Sequence, residues 1–440
     1  MLKEVLLYVT MLAVALGSNP SDDQKAPQEK LDRLRSLPYF SAPADHAPTG
    51  LLGIHESEVM PGYNLFANRF HNTAALIDNH GRIVHQWARK DHSSWLAVEM
   101  SPRADLFVLH GWDAARKTEF PNEHGFPTRL TKLAPDSSVI WSVVLPVHHD
   151  IQILPDGTLL VLLERTRKIS GGTSIVDNTI AHLSADGKVL REISLYDLVR
   201  RTPGLTLEPL PRKTVDTPAD IFHSNTVRQL SPERSKKLVQ SLGNTAEAKR
   251  IFAAGNILVS SRHQNFVVII NPASERIVWW WGHGELDGPH CARFLENGHV
   301  LVFDNGLARG WTRVLEIDPI GHRIVWSWTP RDRKSFYVMY GGACQRLPNG
   351  NTLITDSAKV IAFEVTPDNR IVWKWANPDQ TFMYRVHRVQ ERFFTPEVRK
   401  QFLAASKKAS SAGYCRDSNT RISPWPCASG SSALPMIVPG

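Results

Sequence analysis

"INPASERIVWWWGHGELDGPHCARFLENGHVLVF", residues 270–303, holds two kinds of turn between apolar runs. The first, Asn271-Pro272-Ala273-Ser274, leads into Ile277 and a triple tryptophan. The second, Glu296-Asn297-Gly298, separates two short runs, each the length of a strand and too short for a packed helix. Both are hairpin signatures. The first kind recurs in "LIDNHGRIVHQW" (76–87), "LAPDSSVIWSV" (133–143), "LSADGKVLREI" (183–193), "IDPIGHRIVWSW" (317–328) and "VTPDNRIVWKW" (365–375). The second recurs in "HDIQILPDGTLLVL" and "GACQRLPNGNTLIT", alternating with the first.

Two hairpins in series make a four-stranded unit, and units of about 40–50 residues with four strands are the pattern of a β-propeller. The expected class is therefore all-β, a six-bladed β-propeller. Innermost strands are expected near 95–100, 148–154, 222–230, 290–295, 342–347 and 384–390. No outer strands follow residue 390, so the segments at 62–68 and 73–87 are expected to close the last blade, which removes the free sheet edges. The domain reading is a signal peptide or anchor at 1–20, a linker at 21–50, the propeller at 51–390 and a C-terminal helix and tail at 391–440. The helix is expected in "TPEVRKQFLAASKK" (395–408), and Cys415 with Cys427 suggests a disulfide-bearing tail, two free thiols being the alternative.

Composition fits this architecture: 29 Pro, 27 Gly and 13 Trp suit many short strands joined by turns. The tryptophans at 87, 141, 279, 280, 281, 326, 328, 373 and 375 recur in outer strands, where they are expected to pack between blades rather than to stack on a cofactor. A formal charge of +8 points to anionic partners. No Lys/Arg-rich block or stacking motif accompanies it, which sets nucleic acid aside. The start has one Lys, an apolar run from Val5 to Leu16, then small and polar residues, as in a short secretory signal. The expected location is periplasmic or secreted, with a membrane anchor through residues 5–16 as the alternative.

Registering the blades on their turn glycines exposes a pattern. His149 lies eight residues before Gly157 and His290 eight before Gly298, so both head an innermost strand, in blades two apart. In the blade between them, "DIFHSNTVRQL" sets Asn225 level with His149 and His223 two residues earlier, on the same face by strand alternation. Arg262 ends the next, antiparallel strand on the same rim. Three imidazoles and a guanidinium at one channel mouth suit a tetrahedral oxyanion. Gly342 occupies the equivalent position one blade later and is expected to supply space alone; His387, on the closing strand, is expected to be structural.

In order along the chain, "HHDIQILPDG", "FHSNTV", "NILVSSRHQNFV" and "PHCARFLENGHVLVFDNG" resemble the bacterial aryl sulfotransferases that use aryl sulfate esters as donors. The resemblance spans roughly residues 60–390, and it implies an exported six-bladed propeller moving a sulfuryl group from a phenolic sulfate to a phenol through a sulfohistidine. Carried over, it makes His290 the nucleophile, supported by His149, His223 and Arg262, with His148 and Asn225 as expected substrate contacts. The chain departs from the family by a charged insertion at 230–250. The expected partners are an aryl sulfate donor and a phenolic acceptor, with no cofactor, no resident metal, and a homodimer as the oligomer. Two alternatives stand beside this reading. One is a metal enzyme using the histidines as ligands, which the adjacent Arg262 opposes; the other is a nonenzymatic binding propeller.

Overall fold

The computed structural model describes residues 48–69, 71–90, 94–111, 128–208 and 218–411. Six sheets follow one another along the described residues, antiparallel throughout except for one two-residue parallel addition to the second blade. Blade 1 holds Ser94–Met100, Leu106–Gly111, Thr128–Leu133 and Val139–Val144 in order from the axis outward; blade 2 holds Val147–Ile153, Leu159–Lys168, Ser174–Leu183 and Val189–Ser194. Blade 3 is built from Ser224–Gln229, Ile257–Ser261, Phe266–Asn271 and Arg276–Trp281, and blade 4 from Pro289–Phe294, Val300–Asp304, Arg313–Asp318 and Arg323–Trp328. Blade 5 runs Ala343–Arg346, Thr352–Asp356, Ile361–Val365 and Ile371–Ala376, and gains an outermost strand from Gly50–Ile54. In blade 6 the inner strand Val386–Val389 pairs with Tyr63–Asn68, then Thr73–Ile77 and Ile83–Ala88, so the N-terminal strands close the ring as expected.

Strand alternation explains why the ring holds. Along Ile257–Ser261, Ile257 and Val259 face blade 2 while Leu258 faces blade 4. The same alternation in every blade yields six apolar cores, one at each blade boundary. The tryptophans pack at these boundaries, and three also tie blades together by their indole N–H. Trp279 donates to Pro319 O (3.0 Å), Trp326 to Pro367 O (3.4 Å) and Trp373 to Asn79 O (2.7 Å), each reaching the outer turn of the next blade.

Among the described residues, four α-helices decorate the ring. Helix α1 (Leu195–Arg200) follows blade 2. The charged insertion folds as α2 (Pro232–Ser241) and α3 (Ala246–Ile251), capped by Ser231 and Thr245, and buries Leu238, Ala248 and Ile251 against the boundary of blades 3 and 4. It joins the far end of the inner strand to the second strand, whose pairing from Ser224↔Ser261 to Gln229↔Ile257 brackets the insertion opposite the histidine end. Helix α4 (Pro396–Ser411) lies where a helix was expected and packs Phe402 on Tyr63 and His85.

The tail cysteines Cys415 and Cys427 and the leader at 1–20 lie outside the described residues. The disulfide is without support; the described cysteines, Cys291 and Cys344, are free and buried against each other. No described helix is long and apolar enough to cross a membrane.

Candidate active site

The site is made by breaks in the ladder at the heads of inner strands. Pairing skips between Trp95 and Ala97 in blade 1, His148 and Ile151 in blade 2, Ser224 and Thr226 in blade 3, and His290 and Arg293 in blade 4. Such bulges turn a side chain away from the position that alternation dictates. His149 (φ 57°) inside its break and His223 (φ 46°) one residue before its strand adopt left-handed backbone, as does Cys291 (φ 51°) immediately after His290. His223 thus reaches the His149 ring from left-handed backbone rather than by simple strand alternation. Gly342 (φ 90°) also departs from expectation: a Cβ there would lie 2.2 Å from the Phe303 ring, so the space it leaves is filled by the residue paired with His290.

The expected residues do converge. The His149 and His223 rings lie 4.7 Å apart, and His223 lies 4.7 Å from His263. His149 Nδ1 is 2.9 Å from His148 Nδ1, and Arg385 donates to the His149 carbonyl. His223 Nδ1 sits 2.6 Å from Asp220 Oδ2, and the His223 backbone N–H donates to Asp220 Oδ1 (2.9 Å). His263 is clamped between the Asp220 carbonyl at Nδ1 (2.8 Å) and Arg262 at Nε2 (2.8 Å). Arg262 lies over the Tyr340 ring, 5.4 Å from its centroid. His290 is 2% exposed, and its Nδ1 faces Asn305 Oδ1 (2.7 Å) and Gly288 O (3.2 Å).

Electrostatics bind these groups into one site. Burial pushes His290 well below the usual histidine range, and the neighbouring Arg262 and His223 push it further. Burial does the same to His149, reinforced by His223, His148 and His290. His263 falls to about 4, again mainly through burial. Burial works to raise the Asp220 carboxyl, yet His223 and its hydrogen bonds, with His263, hold it far below the carboxylate range. Burial lowers Arg262 and raises Tyr337 and Tyr384, the last to about 12. Tyr384 packs on His149 at 5.8 Å.

His148 and Asn225 support the site from behind. His148 is buried, 3.9 Å from Glu164, and touches His149. Asn225 is fully buried; its amide donates to Pro289 O (2.9 Å) and accepts from Ser260 Oγ (2.7 Å), which holds the backbone just before His290. Asp150 is a hub that accepts from Arg228, Arg385 and the Val227 N–H. His387 lies among Arg293, Arg228 and Arg385, where burial and these cations lower it to about 3.

Asp220, His263, Asn305 and the tyrosines at 337, 340 and 384 were not singled out from the sequence. Asp220 belongs to a two-residue strand, Ala219–Asp220, pairing parallel with Ser174–Leu183 of the neighbouring blade, which no local pattern betrays. Asn305 stands in the turn after a strand, in "FDNG", and its partner is fifteen residues away.

Asp220, His223 and His263 each bring one ligand atom within 4.8 Å of the others, a metal-like grouping that shares only His223 with the histidines expected to form one. Their contacts fit a cation poorly. Both nitrogens of His263 are engaged, one of them by Arg262, and His223 Nδ1 is engaged by Asp220.

A family model described as "Arylsulfotransferase (ASST)" matches residues 117–378, more than half of the chain. No curated protein matches. Among solved structures, a protein of unknown function from Bacteroides caccae is similar at 15% identity and a TM-score of 0.47, over 74% of this chain and 98% of that one. An inactive virginiamycin B lyase from Staphylococcus aureus reaches 10% identity and a TM-score of 0.38, over 75% and 89%. Neither likeness carries an argument about this chain.

Proposed function

The chain belongs to the arylsulfotransferase family, and from that premise we propose that it moves a sulfuryl group from an aryl sulfate to a phenol through a covalent intermediate on His290. The observation that carries the reading is His290 itself. It is buried, held neutral by its surroundings, anchored through Nδ1, and its Nε2 has no hydrogen-bond partner among the described residues. A neutral imidazole with a free lone pair, within the field of Arg262, is a nucleophile facing an anion-stabilising charge.

In the first half-reaction the Nε2 lone pair forms a bond to sulfur and the S–O(aryl) bond breaks, its electron pair leaving with the phenolate oxygen. Sulfuryl transfer, like phosphoryl transfer, demands chiefly in-line placement and stabilisation of equatorial oxygens. Arg262 supplies the charge for those oxygens, and His149, accepting at Nδ1 from the Nδ1–H of His148, keeps its own hydrogen on Nε2 as a donor. His223, backed by the Asp220 carboxylate, protonates the departing phenolate. In the second half it takes the proton of the incoming phenol, whose oxygen then bonds to sulfur as the S–N bond breaks. Tyr337 and Tyr340, on the loop between blades 4 and 5, flank this rim with aromatic surface for the aryl group. Export belongs to the same proposal, supported by the apolar run from Val5 to Leu16.

The test is transfer from a chromogenic aryl sulfate to a phenol, with and without chelator, for wild type and His290→Ala. Activity that resists chelation and falls by roughly a thousandfold or more in the variant is expected. Loss on chelation would instead favour a metal at Asp220, His223 and His263.

A further inference from the structure

We propose that Asn305 is a positioning residue for His290: it keeps the ring proton on Nδ1 and so leaves Nε2 as the atom that attacks sulfur. The inference rests on the proposed sulfuryl transfer. Its ground is a chain of acceptors whose direction admits one solution. Asn305 is fully buried, and its Nδ2 donates to Val338 O (2.7 Å) and Gly341 O (2.9 Å). Both are carbonyl oxygens, so the amide cannot be reversed, and Oδ1 must face His290 Nδ1 at 2.7 Å. A second acceptor, Gly288 O, lies 3.2 Å from the same nitrogen. With only acceptors around it, Nδ1 must carry the hydrogen.

The consequence is chemical. When Nε2 bonds to sulfur, the ring becomes a cationic N-sulfonated imidazolium that keeps its Nδ1 proton, and the bond to Asn305 gains charge. No proton has to leave the nucleophile before attack. The neutral amide stabilises that cation without making resting His290 basic enough to protonate and lose its lone pair, as a carboxylate partner would. Asn305 is also fixed to the loop that carries Tyr337 and Tyr340 through Val338 and Gly341, so the ring's orientation and the aromatic rim are set by one side chain.

Three measurements test this. Nitrogen-15 NMR of histidine-labelled wild type is expected to show resting His290 protonated at Nδ1; a ring protonated at Nε2 overturns the proposal whatever the enzyme's activity. Alkaline quenching with a labelled aryl sulfate and analysis of the His290 peptide is expected to give the Nε2-sulfonated isomer, and the Nδ1 isomer overturns it. Complete absence of an adduct, with transfer intact, instead removes the covalent reading, while the tautomer remains decided by the NMR. In Asn305→Asp, a carboxylate beside Nδ1 should move the acid limb of kcat/KM upward by about one pH unit or more with little change in KM. A folded variant with an unmoved acid limb is evidence of a structural role alone and overturns the proposal.

Discussion

Two imidazoles of one site stand against different partners, and the difference divides the labour between them. His290 meets an amide and a carbonyl, which tolerate a neutral ring; His223 meets the buried Asp220 carboxylate, whose Oδ2 lies 2.6 Å from its Nδ1 and fixes the ring. The residue suited to hold and release a proton is therefore His223. In Asp220→Asn the orienting charge disappears, and kcat is expected to fall by roughly a hundredfold with donors whose phenols are weak acids. With a nitrophenyl sulfate, whose phenolate leaves unaided, the loss should be much smaller. An equal loss with both donors, read from steady-state rates across a leaving-group series, would deny His223 the acid role. Turn glycines made His149 and His290 legible because Gly157 and Gly298 count off the same strand position. The partners that tune them were not, because Asp220 reaches His223 from a two-residue strand held by a neighbouring blade and Asn305 reaches His290 across a hairpin.

Among elements, the closing strand Val386–Val389 bears the join between the two ends of the propeller. Arg388 on it is buried with Glu364 of blade 5 at 3.1 Å, both side chains 0% exposed. The guanidinium also donates to Asn64 Oδ1 (2.6 Å) and the Met60 carbonyl, and lies 5.0 Å from the Trp373 ring centroid. It thus touches three segments that sequence order keeps apart. Arg388→Met leaves Glu364 buried without its cation and should cost about 3–5 kcal/mol, measured by denaturant unfolding. Adding Glu364→Gln should recover part of that loss; additive losses would show that the pair is not coupled. The closing arrangement was legible because an inner strand at 384–390 lacked outer partners while 62–87 offered spare ones. Helices α2 and α3 were not anticipated, although Ser231-Pro232 and Thr245 are ordinary caps, because each helix is short and its apolar residues are few.

At the scale of the whole ring, the inner strands and the loops beside them gather buried histidines that folding requires to be neutral. His149 and His290 are held well below the usual range, His263 at about 4 and His387 at about 3, each mainly by burial. An unfolded chain protonates these rings near pH 6.5, so below that pH the unfolded state binds protons that the folded state refuses. Stability should therefore be full above about pH 6.5 and fall as pH drops towards 4, by up to about 1.4 kcal/mol per ring per pH unit. Glu99, Asp177 and Asp356, raised by burial, act in the opposite sense upward from their ordinary values, so the net slope alone does not isolate the histidines. His387→Gln does isolate one of them: it removes a titrating ring from among Arg228, Arg293 and Arg385 and should flatten the fall in melting temperature between pH 6.5 and 5. An identical pH profile in wild type and variant would mean that folded His387 accepts the proton, contrary to the burial and charge that surround it.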